Sequence, residues 1–285
     1  MLLAAPRFAL PETVAEAVAA LAERPGAVLV AGGTEVLPDL LWRRRSAAGF
    51  VSLRRIPGLR TVVPGLTLGS GVTAARLQRP DVAAAAPALA RSAASLGTPQ
   101  VRAEATLGGN VVSALPYRNL LPVLLALDAT LVLASAAGER EVPFDGFVLA
   151  PGQAALRPGE VLTAVRVPVR TGFQDYVKVG RRNAQYVATV SAAVVVDTAE
   201  RRVRFGFGNA AATPLRLDEA DRAATAAVDW STGAVTLDGA EAVAELVRRG
   251  VDPPEDDAAT AAYRRHALGV LARRLLLRAG GADDR

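Results

Sequence analysis

The sequence predicts an α+β protein: an α/β region built in two parts, then a smaller region in which an antiparallel sheet precedes a helical bundle. Three observations carry this. Over the first 170 residues, short apolar runs of strand length alternate with runs of helical periodicity. From Thr171 onward three strand-like runs follow one another, and after Asp218 the helical period takes over. Two glycine-rich segments, Ala31-Gly32-Gly33-Thr34 and Thr106-Leu107-Gly108-Gly109-Asn110, both fall in the first region. The division is therefore residues 1–170, with parts at about 1–55 and 56–170, and residues 171–285.

Pro11-Glu12-Thr13-Val14 opens a capped helix that continues to Ala22. Residues 27–30 form a short strand that runs into the first glycine segment, and a helix is expected at 36–42. Residues 50–53 read as a strand, Ile56-Pro57-Gly58-Leu59 as a turn and 66–69 as a strand. Helices are expected at 72–78 and 83–96. The second glycine segment reads as a turn, ahead of a helix at 120–127 and a strand at 128–134. Phe144-Asp145-Gly146-Phe147 is a loop, and 161–167 alternates as a strand. In the second region, strands are expected at 174–179, 188–197 and 202–208; the alternation Val203-Arg204-Phe205-Gly206-Phe207 predicts one buried face. Helices follow at 218–227, 239–249 and 258–278, with a proline loop at Val251-Asp252-Pro253-Pro254-Glu255.

A strand, a glycine turn and a helix form the grammar of a phosphate loop. No Gly-Lys-Ser/Thr follows and no Gly-x-Gly-x-x-Gly is present, so neither the nucleoside-triphosphate loop nor the Rossmann fingerprint applies. Paired glycines free the main chain to take positive φ and to approach a ligand closely. Converging amides in such a turn hold anions without lysines. Two segments of this kind predict a pyrophosphate held between them, as in a dinucleotide cofactor.

Composition narrows the chemistry. There is no cysteine, which excludes a disulfide framework, a cysteine-ligated cluster and a thiolate nucleophile on this chain. A single histidine, His266, nearly excludes a histidine-based zinc site or a Ser-His-Asp triad; it reads as a helix-surface or packing residue. The net charge of +5 comes from 33 basic and 28 acidic residues, interspersed. No basic arm or basic–aromatic stripe points to nucleic acid. The first eleven residues lack the pattern of a signal peptide and no stretch is long enough to span a membrane, so a cytoplasmic location is expected.

Further motifs accompany the glycine segments: Leu53-Arg54-Arg55-Ile56-Pro57-Gly58-Leu59, Pro99-Gln100-Val101-Arg102, Leu121-Pro122 with Leu124-Leu125-Ala126-Leu127-Asp128-Ala129, Lys178-Val179-Gly180-Arg181-Arg182, and Tyr263-Arg264. In this order and spacing the chain resembles, over almost its whole length, the FAD-binding (medium) subunit of the molybdenum hydroxylases, the carbon monoxide dehydrogenase and xanthine dehydrogenase family. The resemblance implies a two-part FAD-binding domain of the PCMH type followed by the smaller domain. It implies that Val30, Ala31, Gly32, Gly33, Thr34 and Glu35 wrap the pyrophosphate. Thr106, Leu107, Gly108, Gly109 and Asn110 would close on the same phosphates, with Ser113 nearby. Leu96 and Leu162 would pack near the cofactor, Asn119 would meet its ribose or adenine, Lys178 would stand at the site, and Tyr186 or Val187 would lie over the isoalloxazine. No catalytic residue and no metal ligand is implied on this chain. Three departures stand out. Asn119 replaces a frequent acidic residue, Leu96 an aromatic ring of some relatives, and Gln185-Tyr186 a common acidic residue.

The resemblance also implies partners: a large subunit with the molybdenum cofactor, a small subunit with two [2Fe–2S] clusters, and an acceptor that is NAD, oxygen or a quinone. Substrate chemistry would lie on the partner. A free-standing FAD-dependent oxidoreductase and a flavin-free scaffold are the alternative readings. On residue chemistry alone, Ser113 and Asn119 also read as helix caps, Lys178 as a solvated strand residue and Tyr186 as core. Arg181 and Arg182 read as surface or interface, and Arg264, Arg265, Arg273 and Arg274 as a solvated helix face.

Overall fold

The computed structural model describes residues 8–182 and 186–281. It opens with β1 (Phe8–Ala9), α1 (Val14–Ala22), β2 (Ala27–Val30), α2 (Val36–Leu41) and β3 (Gly49–Ser52). The strands form a parallel sheet in the order β1-β3-β2. Thr13 caps α1 by accepting the Glu16 amide at 3.1 Å, which satisfies one of the free donors of the first turn. A small core of Ala17, Val51, Ile56 and Leu59 closes this part.

The second part runs through β4 (Val62–Val63), β5 (Thr67–Gly69), α3 (Pro80–Ala85), α4 (Pro87–Ala94), α5 (Pro99–Glu104), α6 (Leu107–Val112) and α7 (Leu120–Ala126). It then adds β6 (Thr130–Ser135), β7 (Gly138–Pro143), β8 (Val148–Ala150), β9 (Gln153–Ala154) and β10 (Val161–Arg166). Five of its strands form an antiparallel sheet in the order β4-β5-β10-β6-β7, and β8 pairs with β9.

Several expectations are corrected here. The helix expected at 72–78 is only a 3₁₀ turn, Arg76–Gln78. Thr73 instead bridges Thr106, and the Val72 carbonyl accepts the Leu107 amide at 2.8 Å; tertiary pairing overrides local periodicity. The helix expected at 83–96 breaks at Ala86, whose φ of −142° and ψ of 73° leave the helical region. Pro87 follows, and proline disfavours the helical conformation in the residue before it while suiting the first position of the next helix. The second glycine segment is not a turn but the opening of α6, with Thr106 accepting the Gly109 amide at 3.1 Å. Strands β1, β7, β8 and β9 and helix α5 are additions to the sequence reading.

The last third contains β11 (Gln174–Val179), β12 (Val190–Asp197), β13 (Arg202–Gly208), α8 (Asp218–Ala227), α9 (Leu237–Gly250) and α10 (Ala261–Ala279). The strands form an antiparallel sheet in that order. Its two faces meet different cores. Val194, Val203, Phe205 and Phe207 pack with residues of α8, α9 and α10. Tyr176, Ala193 and Val195 join the core that contains α4 and α7. Alternation thus marks a division between two cores rather than between core and water. Gly206 makes the second contact possible: a Cβ there would stand 1.9 Å from the Pro122 carbonyl oxygen, so α7 rests directly on the β13 backbone.

Candidate cofactor site

A cleft of about 220 Å³ opens where the first sheet, α6 and β10 meet. Twelve of the proposed cofactor residues line it: Ala31, Gly32, Gly33, Thr34, Glu35, Leu96, Thr106, Gly108, Gly109, Asn110, Ser113 and Leu162. The two glycine segments, about seventy positions apart in the chain, therefore face one space.

They meet through backbone contact. A Cβ on Gly32 would fall 1.7 Å from the Glu104 carbonyl oxygen, just ahead of the second segment. A Cβ on Gly108 would fall 2.7 Å from the Ser70 Cβ. Positive φ is confined to Gly33, at 70°. The other three glycines serve close approach or the helical start rather than left-handed backbone, which corrects the sequence reading. The Gly33 carbonyl accepts the Leu37 amide at 3.0 Å, which binds the turn to α2.

The two segments differ in what they can donate. Among the described residues, nothing accepts a hydrogen bond from the amides of Gly32, Gly33, Thr34 or Glu35. Four successive N–H groups on a glycine turn form a cradle for an anion. In the second segment Leu107 donates to the Val72 carbonyl, Gly108 to the Ser70 carbonyl at 2.7 Å, Gly109 to Thr106 Oγ1 and Asn110 to the Thr106 carbonyl at 3.0 Å. The first segment keeps its donors free, and the second has its own engaged within the fold. Ser70 Oγ, buried at the cleft, has no hydrogen-bond partner among the described residues. A dinucleotide that carries phosphate, ribose hydroxyls and a flat apolar ring fits this set of free amides, orphan hydroxyl and leucine walls.

One side of the cleft is ionic. Arg118 forms an ion pair with Glu35, and its Nε donates to Ser113 Oγ at 2.9 Å. Ser113 in turn donates to the Asn110 carbonyl at 2.9 Å. Asn119, not Ser113, occupies the N-cap position of α7 but makes no side-chain cap bond; the Leu120 amide donates instead to Asn110 Oδ1 at 3.3 Å. Asn119 is buried and donates through Nδ2 to Ser95 Oγ at 2.8 Å.

Beyond Leu96 lies a second group. Lys178 is half-buried and donates to the Ser95 carbonyl at 2.6 Å and the Tyr186 carbonyl at 3.0 Å. Burial holds its pKa below the ordinary lysine value, so a solvated strand residue is the wrong description. Tyr186 is partly buried, with Arg181 and Arg182 at 5.9 and 5.6 Å from its ring. Val187 is 52% exposed. Gln185 lies outside the described residues. Lys178, Asn119, Tyr186, Val187, Val30 and Leu107 do not line the cleft itself. Val30 ends β2 opposite Ser52, and Leu107 is fully buried in the core.

The segment at 186–189 is anchored from the last domain. Asn209 Nδ2 donates to the Ala188 and Thr189 carbonyls at 2.9 and 3.2 Å. Arg264 Nη1 donates to the same Thr189 carbonyl at 2.8 Å and its Nη2 pairs with Asp256. Arg264 is fully buried, which corrects its assignment to a solvated face; His266 is exposed. Sequence reasoning missed Arg118, Arg45, Ser70 and Asn209. A charged residue in the short Pro116-Tyr117-Arg118-Asn119 link was the available signal for Arg118; nothing local marked the others.

Comparisons with known proteins identify the family and the fold. Residues 5–170 match the family model described as "FAD binding domain in molybdopterin dehydrogenase". Residues 175–279 match "CO dehydrogenase flavoprotein C-terminal domain". The carbon monoxide dehydrogenase medium chain of Hydrogenophaga pseudoflava is 32% identical over 284 residues, covering 95% of this chain and 96% of that one. The xanthine dehydrogenase FAD-binding subunit of Escherichia coli O157:H7 is 30% identical over 282 residues, covering 95% and 94%. A solved structure of carbon monoxide dehydrogenase from Hydrogenophaga pseudoflava, lacking the Mo-pyranopterin moiety of its cofactor, matches with a TM-score of 0.86 at 30% identity, over 99% of both chains. With both halves matched by family models and the fold shared end to end, the chain belongs to the FAD-binding medium subunits of the molybdenum hydroxylases, and its cofactor is FAD.

Proposed function

We propose that this chain is the electron-transfer component of a three-part molybdenum hydroxylase. It receives electrons from [2Fe–2S] clusters of a small partner subunit and delivers them to NAD, oxygen or a quinone. A large partner subunit with the molybdenum cofactor oxidises the substrate. The observation that supports this most is the first-segment cradle, four unpaired amides set on a glycine turn that faces the second segment across the cleft.

FAD supplies the redox chemistry, accepting electrons singly and passing them on in pairs. The chain holds and orients it. The amides of residues 32–35 would hold the pyrophosphate, with the Thr34 hydroxyl beside them. Thr106, Gly108 and Gly109 would set the opposite wall, and Leu96 and Leu162 would exclude water from the ring. Lys178 ties the Tyr186 carbonyl to Ser95 at the end of α4, which would steady the segment whose Tyr186 or Val187 would lie over the isoalloxazine. No residue needs to act as acid or base, in keeping with a chain that has one histidine and no cysteine.

The test is the visible absorption spectrum of the purified chain before and after FAD is added. Flavin bands at about one FAD per chain support the reading, and co-purification with iron–sulfur and molybdenum subunits completes it. A folded chain that takes up no FAD favours the scaffold alternative. An FAD-loaded chain that turns over a substrate without partners favours the free-standing oxidoreductase.

A further inference from the structure

We propose that Arg118 is the charge-compensating residue of the cleft: it neutralises Glu35, and the chain's affinity for a pyrophosphate-bearing cofactor depends on that pairing. The inference rests on the FAD reading and adds a residue to it.

The argument starts from Glu35. Its carboxylate follows directly on the free amides of residues 32–34 and lines the same cleft. A carboxylate beside the seat of a pyrophosphate opposes it. Like charges a few ångströms apart repel several-fold more strongly near a protein surface than in bulk water. An unpaired Glu35 would therefore cancel much of what the amides supply. Arg118 removes the conflict. Its guanidinium pairs with Glu35 along that side of the cleft, and the pair is mostly shielded, at 20% and 36% side-chain exposure.

The arginine is held for this purpose. Its Nε donates to Ser113 Oγ at 2.9 Å, and the Ser113 proton is fixed on the Asn110 carbonyl. The backbone that carries it is pinned at three points. Arg118 donates to the Leu115 carbonyl at 3.0 Å, Gly152 to the Ala114 carbonyl at 3.0 Å and Asn209 to the Pro116 carbonyl at 2.9 Å. Ala114 accepts a left-handed φ of 49° within this link. A pre-set guanidinium gives up little freedom when it binds. The remaining cleft-lining cation, Arg45, lies on the exposed turn after α2.

The experiment is a fluorescence titration of FAD into the full-length chain stripped of flavin, with four variants. Arg118→Gln should raise the FAD Kd about ten- to a hundredfold, the scale for breaking a shielded charge pair. Glu35→Gln alone should lower the FAD Kd severalfold, because the opposing carboxylate is gone while the guanidinium stays. The double variant Glu35→Gln/Arg118→Gln should return to within about threefold of wild type, because the repulsion is gone with the charge. Arg118→Lys, which keeps the charge, should fall between. Thermal melts of each variant separate misfolding from lost affinity. Arg118→Gln binding FAD like wild type would overturn the proposal, as would a double variant no better than Arg118→Gln. Wild-type protein that binds no FAD would overturn the functional reading itself.

Discussion

Gly32 shows how much of the site depends on a single absent side chain. Its missing Cβ is what lets the first segment lie on the Glu104 carbonyl. Gly32→Ala should force the segments apart and lower FAD affinity at least about tenfold, on the scale of overpacking a closed contact; isothermal titration with FAD measures it. Gly109→Ala meets only Thr106 Oγ1, at 3.0 Å, and should have a smaller effect in the same titration. Arg264 is a second case. Arg264→Met would leave the Thr189 carbonyl without its charged donor, a loss of about 2 kcal/mol that a urea melt would register. The glycine motifs were legible in the sequence because spacing alone marks them. The reason for them was not, since close approach to Glu104 or Ser70 is made by residues some seventy and forty positions away. Arg264 looked like one arginine among many because its partners, Thr189 and Asp256, are set only by the tertiary fold.

Elements were most legible where local chemistry delimits them. Residues 27–30, 174–179, 202–208 and 218–227 fall where periodicity placed them. The start of α9 moves two residues earlier and that of α10 three later, because the capping hydroxyls are Thr236 and Thr260. Pattern failed at 72–78, where Thr73 pairs with Thr106, and at Ala86, where the following proline was read through. The β13–α8 junction carries a pH prediction. Asp221 Oδ1 accepts the Phe205 amide at 2.8 Å. Burial pushes its pKa up to about 7, against the opposing pull of that bond and of Arg216 and Arg202. A carboxyl whose folded pKa is raised binds more protons in the folded chain, so its contribution is full below pH 3.8 and is lost as pH rises through about 7. Thermal melts from pH 5 to 8 should show stability falling over this range, and Asp221→Asn should flatten that slope. A slope unchanged in Asp221→Asn would assign it to other groups.

At the scale of the molecule, the sheet β11-β12-β13 is shared between two cores, and ionic contacts reinforce the seam. Asp175, with its side chain 1% exposed, pairs with Arg91 of α4 and Arg278 of α10. Asp175→Asn should lower global stability by about 2 kcal/mol and should separate the two halves' unfolding transitions in calorimetry; a single sharp transition at the wild-type temperature would count against this role. Asn209 works across the same seam, holding the Pro116 carbonyl with its amide and the 188–189 carbonyls with its side chain. Among the described residues no helix is long and apolar enough to cross a membrane. The two-part architecture was legible in the change from alternating strands and helices to a run of strands followed by helices. The shared sheet was not, because alternation reports that a strand has two faces without reporting what covers the second.

The rest of α7 on the bare backbone at Gly206 bears on how such a gene can change by recombination. A hybrid that joined the first half of this chain to the second half of a relative with any side chain at that position would arrive with its joint already obstructed. A crossover that inherits the helix and the glycine strand together avoids this clash.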